Sequence, residues 1–283
     1  MTLQGHDVQR TGWAEDTAAV PFRPWTGLVH FVDKTMSMAR IEAQKLRHDP
    51  TELFTRAVQP ALWLLVFGEV VSALRVFPTG NIPYIDFMAP GILAQSVLFI
   101  SIFYGIAVIW ERDLGIIHKF LASPTPRTAI VLGKGLSASI RGFSQAVIIY
   151  LLALGLHVGL NWNPLALLGV FGMIVLGGVF FSTLSLVIAC LVRTRERFMG
   201  IGQVLTMPLF FASNAIYPIV SMPGWLQAIA RGNPLTYEVD ALRSLMLSSV
   251  PSAFGLPLDF AVLVGATTAI TIVAAKLFPR LAV

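Results

Sequence analysis

Charge is what this chain has least of. Only 12% of its 283 residues are Asp, Glu, Lys or Arg, where soluble domains carry roughly 25%. Thirty-five charged side chains are too few to cover a globule of 30.8 kDa. The shortage excludes an ordinary soluble enzyme, a disordered chain and a fibrous repeat. A single cysteine, Cys190, excludes a disulfide framework and a cysteine-rich metal site. Catalytic signatures are missing as well. Gly133-Lys134-Gly135 lacks the upstream glycine and the following Ser or Thr of a phosphate-binding loop, so the chain is not expected to hydrolyse ATP. No His-Glu-x-x-His or Gly-x-Ser-x-Gly occurs, and His6, His30, His48, His118 and His157 are scattered, so no metal or cofactor is expected on this chain.

Apolar residues make up 55% of the chain, and they come in long charge-free runs. A helix needs about 20 such residues to cross the hydrocarbon core. Cutting the runs at turn signals gives six spans, at about 56–76, 87–110, 132–157, 165–192, 198–219 and 257–277. Asn161-Trp162-Asn163-Pro164 is the turn between the third and fourth, and the first span is the weakest. The fold class that follows is an all-α polytopic membrane protein.

The basic residues orient it. With both termini cytoplasmic, segments 1–56, 111–134, 193–197 and 276–283 hold sixteen of the twenty Lys and Arg, and the external segments hold Arg75, Arg231 and Arg243. That bias obeys the positive-inside rule. It accounts for the net charge of +5 without nucleic acid, and aromatic–basic interleaving is absent. The first 27 residues hold no apolar run, which predicts no signal peptide and a mobile tail.

Three segments are more than simple spans. Residues 28–48 place Leu28, Val32, Met36, Ala39, Ala43 and Leu46 at helical spacing, as in an interfacial helix that anchors the chain or also offers a docking surface. Segment 111–124 carries Glu111, Arg112, Asp113 and Gly115, then Ile117, Phe120 and Leu121 on one face, and Pro124 closes it. It reads as a short cytoplasmic helix that fits a partner's cleft or lies on anionic headgroups. Segment 220–248 holds too many breakers for one span, among them Pro223-Gly224-Trp225 and Gly232-Asn233-Pro234. It predicts short helices at external membrane depth, either an ordinary packed loop or a gate over a path. Arg141 is a charge inside a span, which either reaches back to the cytoplasmic surface or pairs with an acid or an anionic cargo. Acids at membrane depth are few, so a proton relay is poorly supplied and the driving energy is expected from elsewhere.

Two stretches resemble the membrane subunit of bacterial ATP-binding-cassette (ABC) type-2 exporters of the daunorubicin-resistance permease kind. One is Glu111-Arg112-Asp113-Leu114-Gly115 through Ser123-Pro124, with Arg127 and Gly133-Lys134. The other is Asn233-Pro234-Leu235-Thr236-Tyr237 through Asp240-Ala241-Leu242-Arg243, preceded by Tyr217-Pro218 and Pro223-Gly224-Trp225-Leu226. Ile116 departs from the small polar residue that many members carry there.

The resemblance implies a multi-pass protein of the bacterial plasma membrane, paired with a second permease subunit, identical or closely related. Two copies of a cytoplasmic ATPase subunit would dock below and carry the ATP and Mg. Residues 111–124 would be the coupling helix in the ATPase cleft. Trp225, Asn233, Pro234, Tyr237, Glu238, Asp240 and Arg243 would belong to external re-entrant helices that act as a gate. Pro208, Phe210, Phe211, Asn214 and Tyr217, with Phe99 and Phe103, would face the substrate path or the dimer.

The expected function is export of an amphipathic drug, antibiotic or lipid-like molecule, powered by the separate ATPase. Export of a lipid-linked glycan by the same type of complex is an alternative, kept open by Phe99, Phe103, Tyr104 and Trp110. An ion-coupled carrier acting without an ATPase and a membrane-embedded lipid enzyme are alternatives of other classes.

Overall fold

The computed structural model describes residues 55, 58–80, 82–117, 127–192, 194–248 and 250–279. The expected tail and interfacial helix at 1–48 lie outside them, as do Phe120, Leu121 and Pro124. The described residues form helices: α1 (Val58–Leu74), α2 (Tyr84–Asp113), α3 (Arg127–Gly155), α4 (Pro164–Leu191), α5 (Arg195–Phe211), α6 (Gly224–Gly232), α7 (Pro234–Met246) and α8 (Leu256–Leu277). Four of them, α2, α3, α4 and α8, are long and apolar enough to cross a membrane.

Three helix starts have a local side-chain cap. The two Asn-Pro pairs both open helices. The side-chain oxygens of Asn163 and Asn233 accept from the N–H of Leu165 and Leu235, each at 3.0 Å, and the prolines take the first helical position, where no N–H is needed. Thr194 caps α5 by accepting from the Arg197 N–H. The first span is irregular, with a π-helical stretch from Leu62 to Gly68.

α2 and α4 are apolar on all sides and form the centre of the bundle, and α3, α8, α7 and α5 pack around them. α3 runs opposite to α2, α4 and α8, whose C-terminal ends gather in one buried cluster with the start of α3. Phe278 at the end of α8 joins a buried cluster with Ile117, Val131 and Phe198, which marks one end of the bundle. The other end gathers Tyr84, Phe87, Ile216 and Leu242. An isolated antiparallel bridge between Leu160 and Leu247 ties the α3–α4 turn to the end of α7.

Two expected boundaries are corrected. Residues Glu111–Asp113 belong to the last turn of α2, not to a separate cytoplasmic helix. The break falls at Leu114 and Gly115, and Gly115 takes φ +70°, a conformation glycine adopts without steric cost. The fifth span was expected over 198–219, but α5 stops at Phe211. At ~25 Å it is shorter than the ~30 Å hydrocarbon core. Its end is met by polar side chains from elsewhere in the chain, as described below.

Candidate functional site

The chemistry-bearing residues fall into three places. The first is the end of the bundle where α2 stops and α3 and α5 begin. Glu111 pairs with Lys134 of α3. Asp113 pairs with Arg195 of α5 at 2.7 Å, and Arg112 donates to the Val192 carbonyl at 3.2 Å. The Arg195 guanidinium lies 3.4 Å from the centre of the Trp110 ring. The charged groups expected to grip a partner thus fasten three helix ends of the same chain. Ile117 is fully buried in the cluster beneath them, not displayed on an outer face.

The second place is the hairpin of α6 and α7. Glu238 of α7 packs against Gly177, which lies thirteen residues after Pro164 and fourteen before Leu191, at the middle of α4. The start of α7 therefore sits deep in the bundle, and its end reaches the edge at Leu247. Asn233 at the tip of the hairpin donates to the carbonyls of Leu209 at 2.7 Å and Ala212 at 3.1 Å. Ser213 donates to the Phe210 carbonyl at 2.7 Å. These bonds satisfy carbonyls at the end of α5, which explains how the helix can stop short at depth. Arg243 is buried, donates to the carbonyls of Phe87 at 3.1 Å and Asn214 at 2.7 Å, and lies 3.7 Å from the centre of the Phe87 ring. Asp240 accepts from Ser252 at 2.8 Å and from the Phe254 N–H at 3.1 Å, which holds the loop before α8. Tyr237 donates to the Arg231 carbonyl at 2.7 Å. Of the expected gate residues, Asn233, Glu238, Asp240 and Arg243 are thus packed inside, while Trp225 is exposed and suited to an interface.

The third place is a cavity of about 500 Å³ bounded by the start of α1, the middle of α2 and the middle of α3. Phe99, Phe103 and Tyr104 form one wall, and Arg141 and Gln145 form another. Arg141 lies fourteen residues from each end of α3, at the centre of the helix. Its guanidinium is 5.4 Å from the centre of the Tyr104 ring. The structure thus joins Arg141 to Phe99 and Phe103, which the sequence places on a different span. Pro208 and Phe211 face outward on α5, Phe210 packs edge-on to Trp63, and Asn214 is buried; none of these four lines the cavity. Tyr217 donates its hydroxyl to the Phe211 carbonyl, also away from it.

Sequence reading missed Gln145, Arg195 and Gly177. Gln145 had a usable signal, since it follows Arg141 by four residues and shares its helix face within an apolar span. Arg195 and Gly177 matter only through partners distant in the chain, and no local pattern marks them.

The ABC-2 type transporter family matches residues 34–247. The chain belongs to this family. It is 30% identical over 205 residues, 71% of this chain and 70% of the relative, to a putative transport permease ycf38 of Cyanophora paradoxa. It is 25% identical over 200 residues (71% and 70%) to the daunorubicin resistance ABC transporter permease protein DrrB1 of Streptomyces coeruleorubidus. Nodulation protein J of Rhizobium meliloti is 23% identical over 243 residues, covering 84% of this chain and 87% of that protein. As an ABC-2 permease, the chain is a multi-pass membrane protein and carries no ATPase domain. ABC-2 permeases pair with an ATPase subunit. That division of labour agrees with the missing phosphate-binding loop.

Proposed function

We propose that this permease exports an amphipathic drug-like, antibiotic or lipid-like molecule, with two copies of the ATPase subunit docked beneath a pair of permeases. The observation that carries the reading is the ionic junction of Glu111–Lys134 and Asp113–Arg195. It ties the end of α2 to the starts of α3 and α5 at the first residues of segment 111–124, the expected coupling element. A displacement of that segment by a closing ATPase reaches three helices at once. ATP binding then shifts the bundle between two packings by its different affinity for each. The re-entrant α6–α7 hairpin, latched to α5 by Asn233, is the external gate.

The cavity at Phe99, Phe103 and Arg141 is the cargo path. Its volume of about 500 Å³ matches a drug-sized body. Export of a lipid-linked glycan is the second reading, kept open by the rings of Phe99, Phe103 and Tyr104 in the same cavity. Six spans with both termini cytoplasmic complete the arrangement; α1 and the short α5 serve as the first and fifth.

Reconstitution tests this. Vesicles holding the permease and its ATPase are expected to take up a fluorescent amphiphile with ATP and to lose uptake with vanadate. Uphill transport by the permease alone under a proton gradient would overturn the reading.

A further inference from the structure

A second cavity lies in the groove between α3 and α4 and holds about 340 Å³. Ala146, Val170 and Ile174 form its buried floor, and the exposed side chains of Val147, Leu151 and Phe171 form its rim. The groove therefore opens sideways, away from the core. Both helices are long and apolar enough to cross a membrane, and the chain is a multi-pass membrane protein, so the rim continues the surface that meets lipid. Its extent matches one leaflet. Along α3 the lining runs from Phe143, just past the helix centre at Arg141, to Leu154 in the last turn. That is a rise of ~16 Å, against ~15 Å for half of the hydrocarbon core. The stacked rings of Phe143 and Phe171, with centroids 4.1 Å apart, close the end at the middle of the helix. Trp162 of the α3–α4 turn bounds the other end, and its ring meets Tyr150 edge-on at 6.1 Å. Tryptophan and tyrosine favour the depth where acyl chains meet headgroups.

One polar atom of this lining is unsatisfied. The Tyr150 hydroxyl is buried and has no hydrogen-bond partner among the described residues. The hydrocarbon core holds no water to satisfy it. The occupant must therefore be apolar along the groove and carry an acceptor at the end near the turn. An acyl chain joined to glycerol by an ester has that pattern, because its carbonyl oxygen sits where the chain meets the headgroup. We propose that this groove holds one acyl chain of a membrane glycerophospholipid, whose ester carbonyl accepts from the Tyr150 hydroxyl. The chain packs on Ala146, Val170 and Ile174 and ends at the Phe143–Phe171 stack. A second permease does not fit the slot. Spread over ~16 Å, about 340 Å³ leaves a mean cross-section of ~20 Å², far below that of a helix 10–12 Å across. The proposal is independent of what the permease exports and rests only on its place in a membrane.

The test uses the full-length permease in nanodiscs that contain a phosphatidylcholine with a diazirine midway along one chain. Two forms of this probe are compared, one with ester-linked and one with ether-linked chains. Illumination, digestion and mass spectrometry read where the probe attaches. The ester form is expected to label the peptides covering 143–154 and 167–174 about fivefold more than the ether form, the equivalent of one neutral hydrogen bond. The exposed face of α8, at Leu258, Val264 and Ile272, serves as the reference, and no ester preference is expected there. Tyr150→Phe is expected to remove the preference at the groove. Leu151→Trp fills the groove from the rim and is expected to cut labelling of 167–174 at least fivefold while α8 is labelled as before. Equal labelling by the two forms at the groove, or a preference that survives Tyr150→Phe, overturns the proposal. If Tyr150→Phe fails to insert, the wild-type comparison and Leu151→Trp decide by themselves. Leu151→Cys in a Cys190→Ser background is expected to stay monomeric on oxidation. A disulfide-linked pair of permeases would place a second copy at the groove and also overturn the proposal. Either failure leaves the exporter reading standing, because that reading is tested by transport and not by labelling.

Discussion

The carboxyl group of Glu238 fills the space that a side chain at position 177 would need. A Cβ added to Gly177 would fall well inside van der Waals contact with the Glu238 carboxyl group. α7 can approach the middle of α4 because residue 177 is glycine. Gly177→Ala is expected to displace the carboxyl group and cost about 1–3 kcal/mol. Glu238→Ala in the same chain is expected to return part of that loss. Thermal unfolding of the two single variants and the double variant measures the coupling.

Glu238 is fully buried, and neither carboxyl oxygen has a hydrogen-bond partner among the described residues. An ionised group there would carry a desolvation penalty with nothing to offset it. Glu238→Gln keeps the shape and removes the charge. It is expected to leave the melting temperature unchanged or to raise it. A clear fall would show that the carboxylate has a role as an anion.

Arg243 joins three elements through two carbonyls and one ring. Arg243→Met keeps much of the volume but strands the Phe87 and Asn214 carbonyls in the interior. The expected cost is about 3 kcal/mol, visible as a lower yield of monodisperse protein and a lower melting temperature. Arg243→Lys is expected to fall between the two, because one ammonium lacks the fork that reaches both carbonyls.

Asn233 performs two tasks with its two side-chain ends, and a single substitution separates them. Asn233→Asp keeps the oxygen that caps α7 through Leu235 but turns the other end from a donor into an acceptor against the carbonyls of Leu209 and Ala212. The cap survives and the latch to α5 is lost. Insertion is expected to persist while transport falls, and cysteine cross-linking between α5 and α6 reads the loosening. Asn233→Ala removes both and costs about 1 kcal/mol more through the missing cap.

The Glu111–Lys134 pair joins α2 to α3 with both groups partly buried. Lys134→Glu places two acids together and is expected to uncouple ATP hydrolysis from transport. Exchanging the charges, Glu111→Lys with Lys134→Glu, is expected to restore coupling in part. Transport per ATP hydrolysed, measured for the wild type, Lys134→Glu and the exchanged pair, checks this. An unchanged ratio in Lys134→Glu would remove the pair from the coupling route.

Much of the fold was legible because its cues are local. The charge-free windows between Asp86 and Glu111 and between Arg141 and Arg193 contain most of α2, the second half of α3 and all of α4. The turn read at Asn161–Pro164 precedes α4, and the breakers read between Pro218 and Pro234 bound the short α6. The end of α5 was not legible. Nothing near Phe211 says that Asn233, twenty-one residues later, will satisfy the Ala212 carbonyl. Glu111 and Asp113 stood out by their charge, but their partners Lys134 and Arg195 were not legible, because each lies on another helix of the chain.

By itself the sequence determined that this protein lives in a membrane, where its long apolar helices lie, and that it carries no ATP-hydrolysing motif, because hydropathy, turn signals and motif chemistry are written in neighbouring residues. Only the tertiary structure decided that Arg141 meets Phe99 and Phe103 across one cavity, and that Glu238 reaches the middle of α4. Such contacts depend on how one helix is rotated and shifted against another. That setting comes from the packing of whole surfaces, and it leaves no mark on any short stretch of chain.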